Sequence, residues 1–281
     1  MTASETLLRF SRLLFAAAAL FAAAELYGAE TGVASLKYGS RIVCPGEYRG
    51  HLQGIAIDDG SIYWVFSRDI VRTDFEGRIL AKCSVPHHAG DPCWHEGKLY
   101  VPVCRSGFNR KLKPGAASKN HIYVFDADLK LLKKYHIPEL EYGAGGIAAK
   151  DGRFFVVGGR PDGVPGNTVY EYDADFKLLR RHEVGFDSLK GIQTIDRAFG
   201  KWYFGCYGTG GMTVEADEAF RVTRRLLPGT GVGMAALPDG LVLVGELVKG
   251  DLRRSGAAAV RVARFTEPTA PRDGEKRKTE K

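Results

Sequence analysis

Two histidines hold the same place in different parts of this chain: His51 lies three residues before Gly54, and His87 three residues before Gly90. His88 and Asp91 flank the second glycine, Gln53 precedes the first, and Gln193 follows another, Gly191. Neutral imidazoles beside carboxylate or amide oxygens are ligands for a divalent metal. On that reading His51, Gln53 and His87 hold the ion. The same residue types also make a general base, in which Asp91 fixes the tautomer of His88. A third outcome is that these groups hydrogen-bond nearby loop backbones and plug the space between them with water.

Around the histidines, basic residues outnumber acidic ones. Arg105, Arg110, Lys111, Lys113, Arg160, Lys190, Lys249, Arg253 and Arg254 fall in loops or at strand ends, against Asp162, Asp187, Glu246 and Asp251. Such loops attract anions by field and by charge-assisted hydrogen bonds. Tyr142, Tyr207 and Phe108 add flat apolar surfaces for a sugar ring. The expected ligand set is therefore Arg105, Tyr142, Arg160, Lys190, Gln193 and Tyr207, for a small anionic molecule or an acidic saccharide.

These residues are carried by a repeat. Five segments open with a glycine and a short apolar strand that ends in a tight turn: 54–60, 90–97, 146–152, 191–200 and 233–240. A second strand follows each, as in IYWVFS and LYVPVC. Four copies then carry a third strand ending in Asp74, Asp126, Asp173 or Asp217, in steps of 52, 47 and 44 residues. A lone four-stranded meander cannot bury both its faces, so the copies must stack around an axis. The expected fold is all-β, a five-bladed β-propeller over 33–265. The fifth copy lacks a strand, and the segment 36–44 is expected to pair beside 257–265 and close the ring. A sixth blade would need the polar stretch 105–120 to form strands.

Loop lengths sort by face. Links between first and second strands, and between third and fourth, are minimal turns such as DDGS and DADL. The blade-to-blade links and the second-to-third links are long and polar, and polar loops on a rigid frame are where binding concentrates. The histidines and basic residues lie on that loop-bearing side, so the site is expected at the mouth of the central channel there.

The chain ends read differently. Residues 1–29 place Arg9 and Arg12 before the apolar run 13–24 and then small residues, the order of a secretory signal cleaved after Ala24 or Ala29. The apolar run is short of the roughly 20 residues a membrane span needs. The expected location is periplasmic or extracellular, with no stable membrane insertion after cleavage and a monomeric state. The tail 266–281 reads as disordered and basic. The net charge is +7, yet no recognition helix, RNP-like strand or zinc module accompanies it, which argues against nucleic acid. Five cysteines leave at least one thiol unpaired and show no zinc spacing.

The units resemble the β-propeller superfamily. The blade FFVVGGRPDG followed by NTVYEYD is similar to a kelch repeat, and HLQGIAIDDGSIYWVFS resembles the opening blade of five-bladed glutaminyl cyclases. The segments HLQG, HHAGD, GAGGI and GIQT are similar to those of exported bacterial propellers of unassigned role. The resemblance implies a fold; chemistry resides in sites. Three functions stay open: a binder of a small anionic, carbohydrate-derived ligand, a metal-assisted lyase or hydrolase of an acidic sugar, and a protein–protein platform.

Overall fold

The computed structural model describes residues 32–112, 116–207, 211–248 and 256–268. The expected signal at 1–29, nearly all of the tail, and Lys113, Lys249, Asp251, Arg253 and Arg254 lie outside these residues. Five four-stranded antiparallel sheets form a ring. The strands are β1 (Arg41–Tyr48), then β2 (Leu52–Ile57), β3 (Ile62–Phe66), β4 (Asp69–Thr73) and β5 (Ile79–Ser84) as blade 1. Blade 2 is β6 (Cys93–His95), β7 (Lys98–Cys104), β8 (Asn120–Phe125) and β9 (Leu131–His136). Blade 3 is β10 (Ala144–Lys150), β11 (Arg153–Gly158), β12 (Asn167–Tyr172) and β13 (Leu178–Val184). Blade 4 is β14 (Leu189–Ala198), β15 (Lys201–Tyr207), β16 (Thr213–Ala216) and β17 (Val222–Leu226). Blade 5 is β18 (Met234–Ala236), β19 (Val242–Val248) and β20 (Gly256–Ala263), completed by β1 on its outer edge. Ring closure thus follows the expected plan, with the closing strand shifted to Arg41–Tyr48, where Ile42 and Cys44 turn inward and are buried.

The core is divided among the blade interfaces. Buried apolar residues form five clusters, one between each pair of neighbouring blades. In the cluster joining blades 5 and 1, Trp64 is fully buried and its indole N–H donates to Thr73 Oγ1 at 2.9 Å. Removing a buried tryptophan side chain costs about 3–5 kcal/mol.

The repeated aspartates have a structural task. The Oδ1 of Asp74, Asp126, Asp173 and Asp217 accepts the backbone N–H four residues on, from Arg78, Lys130, Lys177 and Arg221, at 2.8–3.0 Å. This holds a turn whose next-to-last residue is left-handed: Gly77, Leu129, Phe176 and Phe220. Leu129, Phe176 and Phe220 accept that backbone and bury their side chains between blades.

Candidate functional site

The inner strands β2, β6, β10, β14 and β18 line the central channel, and its two ends differ. At the loop-bearing end, backbones meet. Asp91 N–H donates to Gly145 O at 2.7 Å, and Ile147 N–H donates to Asp91 O at 3.2 Å, so blades 2 and 3 bond directly across the ring. A Cβ at Gly90 would overlap the Gly145 carbonyl, one at Gly54 would overlap Asp91, and one at Gly233 would overlap Gly54 and Ile55. Bare backbone is what permits this approach. The place of Gly54 and Gly146 belongs to Asp91 in blade 2 rather than Gly90, and to Thr194 in blade 4 rather than Gly191; Gly54, Gly146 and Thr194 each follow the bulge in their strand. Thr194 Oγ1 donates to Thr230 O at 2.8 Å and fills the space that Gly205 leaves open.

Asp91 sits at this constriction, 3 % exposed. Its Oδ2 accepts Ile195 N–H of blade 4 at 3.1 Å, while Oδ1 is buried against the Gly54–Ile55 backbone of blade 1. Burial, reinforced by the charge of Asp196, pushes its carboxyl well above the usual range. Asp91 therefore does not orient a histidine; its groups tie blades 1, 3 and 4 to blade 2.

Below the constriction the strands part around a cavity of about 200 Å³. Its walls include Ile55, Cys93, Ile147, Ala148, Asp196 and Ala235, and its outer end is rimmed by Trp94, His95, Arg197 and Ala236, all at least partly exposed. Those rim residues lead into the short turns, so the channel opens on the face expected to be purely structural. Asp196 touches the cavity but lies deep in a narrow well, and desolvation raises its pKa to about 7. Burial and the charges of Asp196 and Asp91 hold the Cys93 thiol well above its ordinary value. Asp196 was not among the expected site residues. In register it stands where the other inner strands have Ala56, Cys93, Ala148 and Ala235, and this one acid in a layer of small, weakly polar residues was the available signal.

On the loop-bearing side the histidines do gather. The rings of His87 and His88 are 5.2 Å apart, and His88 stacks on Phe108 at 4.9 Å. Phe108 in turn lies against Gly143 and Gly145, so this aromatic pair covers the constriction. Burial first, then the charges of His87 and His51, lower His88 to a pKa of about 3. Burial and Arg68 lower His87. His51 Nε2 lies 3.0 Å from the Gln53 amide nitrogen, which also donates to Ser67 Oγ at 2.9 Å. Asp69, the nearby acid, is taken by Arg49 at 2.6 Å. Among the described residues no three His, Cys, Asp or Glu side chains are arranged to hold a metal ion.

The remaining expected ligand residues are spread out. Arg160 N–H donates to Lys190 O at 3.1 Å, and Gln193 Nε2 donates to the same carbonyl at 3.0 Å, so Lys190 and Gln193 brace a turn. The Arg160 guanidinium donates to Pro165 O and Thr168 Oγ1 and shares a recess of about 10 Å³ with Tyr142, space for one water and too little for a sugar ring. Arg105 is exposed beside Lys119, and Tyr207 stands 38 % exposed at the end of β15.

No family model matches the sequence, and no curated protein is similar to it. Solved structures are. Glutaminyl cyclase from Myxococcus xanthus superposes with a TM-score of 0.54 at 13 % identity, covering 81 % of this chain and 100 % of that one. The GH43_1 enzyme from Xanthomonas citri complexed with xylotriose gives 0.55 at 14 % identity, covering 78 % and 90 %. RS223-Beta-xylosidase gives 0.55 at 12 %, covering 80 % and 96 %. The likeness is one of fold. The chain is a five-bladed β-propeller.

Proposed function

We propose that this protein is exported and binds a small anionic, carbohydrate-derived ligand on its loop-bearing face, beside the closed channel end. The site is the cluster of His51, Gln53, Arg68 and His87, with His88 and Phe108 as its wall. The observation that carries this reading is electrostatic. The charges that bear on His87 and His88 are those of Arg68, His87 and His51, all cationic or able to become so, while Asp69 is spent on Arg49. An anionic group placed there would meet the Arg68 guanidinium and the imidazole N–H donors with no acid competing at Arg68. That a similar frame is found complexed with xylotriose supports a saccharide as the ligand class.

Titration calorimetry with glucuronate and with glucose at pH 6 tests this. Glucuronate is expected to bind at least about tenfold more tightly, and Arg68→Ala or His87→Ala to weaken it by about tenfold, the worth of one charge-assisted hydrogen bond. Equal affinity for the neutral sugar, or none for either, rejects the reading. Export is checked by the mass of the secreted chain, expected to begin at residue 25 or 30.

A second reading, hydrolysis or elimination, draws on Asp196, whose pKa near neutrality suits acid–base catalysis. Its metal-assisted form has no three-residue His, Cys, Asp or Glu donor set behind it among the described residues. Turnover of a chromogenic glycoside or uronide that disappears in Asp196→Asn would support it.

A further inference from the structure

The fourth strands of blades 2, 3 and 4 repeat a pair of cations at one register. Lys133–Lys134, Arg180–Arg181 and Arg224–Arg225 each lie seven and eight residues after the capping aspartate, and all six are exposed. Neighbouring residues of a strand face opposite sides of the sheet. Each pair therefore sends one cation towards the preceding blade and one towards the next.

Cross-strand register identifies the side. Lys133 pairs with Val124, and Arg181 with Tyr170; both partners belong to the cluster between blades 2 and 3. Lys133 and Arg181 thus stand on the two walls of that interface, at its outer mouth. Arg180 pairs with Glu171, beside Phe155, and Arg225 pairs with Val214; these face the cluster between blades 3 and 4. The interface between blades 4 and 5 is different, because Arg224 is paired with Glu215, and Arg41 and Arg261 with Glu246. Among the described residues no carboxylate forms an ion pair with Lys133, Lys134, Arg180, Arg181 or Arg225. Acids do lie near these mouths: Asp175 bears on Lys133, Glu171 stands opposite Arg180 and is held by Arg153 and His182, and Glu139, Glu141 and Glu183 bear on the tyrosines beside Arg181. Three of the cations are also held over tyrosine rings: Lys133 over Tyr135 at 4.2 Å, Lys134 over Tyr123 at 4.9 Å and Arg181 over Tyr170 at 5.5 Å.

Charges on an exposed edge strand guard against edge-to-edge pairing. Like charges placed opposite one another across two successive mouths do more than that. They form a row of cations, five of which no described carboxylate neutralises in an ion pair.

We propose that the outer rim of blades 2 to 4 is a docking track for a linear acidic polysaccharide, whose successive carboxylates or sulfates lie between the facing cations. This surface is separate from the loop-bearing site and stands whether or not that site binds a small ligand.

The test uses immobilised polygalacturonate and four proteins of confirmed fold by circular dichroism. Wild type is expected to be retained, with log K falling steeply against log[NaCl]. Lys133→Glu, Arg180→Glu, Arg181→Glu and Arg225→Glu together should abolish retention. The matching Gln variant should lower the salt slope by roughly 3, about 0.7 for each cation removed. A control with the same charge change elsewhere, at Lys37, Lys98, Lys119 and Arg264, all exposed, should keep most of the affinity. The Glu variant still carries charged edges. If it binds as wild type does, the cations are edge guards only and the proposal fails. It fails equally if the control loses as much as the rim variant, because net charge alone would then explain retention.

Discussion

The two ends of the central channel are built from the same five strands and carry two carboxyls, the buried Asp91 and the half-buried Asp196, yet they do opposite things. At the loop-bearing end, glycines let backbones touch, and Asp91 is a tie between blades. At the short-turn end, side chains of the size of alanine and isoleucine hold the strands apart, and Asp196 faces a cavity. The difference shows that loop richness and channel access are separate properties of this ring. Loop length is written residue by residue; whether a channel is open depends on how closely neighbouring inner strands approach.

Substitutions that treat the ends alike should break them unequally. Gly90→Ala forces a Cβ into the Gly145 carbonyl and is expected to cost at least about 3 kcal/mol. Ala149→Val, which adds bulk at the wide end, should cost under about 1 kcal/mol by urea unfolding. If the two cost the same, the constriction is not real. Asp91→Ala leaves the Ile195 N–H buried without an acceptor and should cost about 2 kcal/mol, while Asp91→Asn keeps an acceptor and should cost less.

Acidity separates the ends further. The folded pKa of Asp196 lies above its unfolded value, so its neutral form stabilises the fold. That contribution is complete below about pH 4 and is lost as pH rises through 7. Between pH 5 and 8 the loss is expected to be on the order of 1–2 kcal/mol, once cavity water relaxes around the carboxylate, and to vanish in Asp196→Asn. The smallest effect concerns thiols. Cys93 lines the cavity, so a small uncharged alkylating reagent should modify it slowly, faster at high pH, while buried Cys44 reacts only on unfolding. Equal rates would mean that the cavity is closed at both ends.

The fold was legible in the sequence because each blade repeats the same instructions. The capping aspartates, the turn glycines and the alternating strands recur at a steady period, and even the ring-closing strand could be placed within a few residues. The site was legible in part. The histidines do converge, but the register pairs His51 with His88 rather than with His87: the His51 and His88 carbonyls accept the equivalent N–H groups of Ser67 and Cys104. Their partner could not be read. Phe108 arrives from the long loop 105–119, whose path no spacing dictates, and it takes the stacking place beside His88. Gly90 and Gly191 open their repeats in the sequence, yet Asp91 and Thr194 take the places of Gly54 and Gly146, because the irregularity that moves the register leaves no mark in composition. Asp196 reads as one more acid before a turn until the five inner strands are laid side by side.

The pairing of β1 with β20 also decides how the ring responds to being pulled. Arg41 is paired with Arg261 and Tyr48 with Gly256, so the leading end of β1 and the trailing end of β20 lie at the same end of the ladder. Tension applied through the two chain ends therefore loads the hydrogen bonds one after another rather than all at once. The seam peels like a zipper from Arg41 towards Tyr48, and the blade that closes the ring is the first to yield.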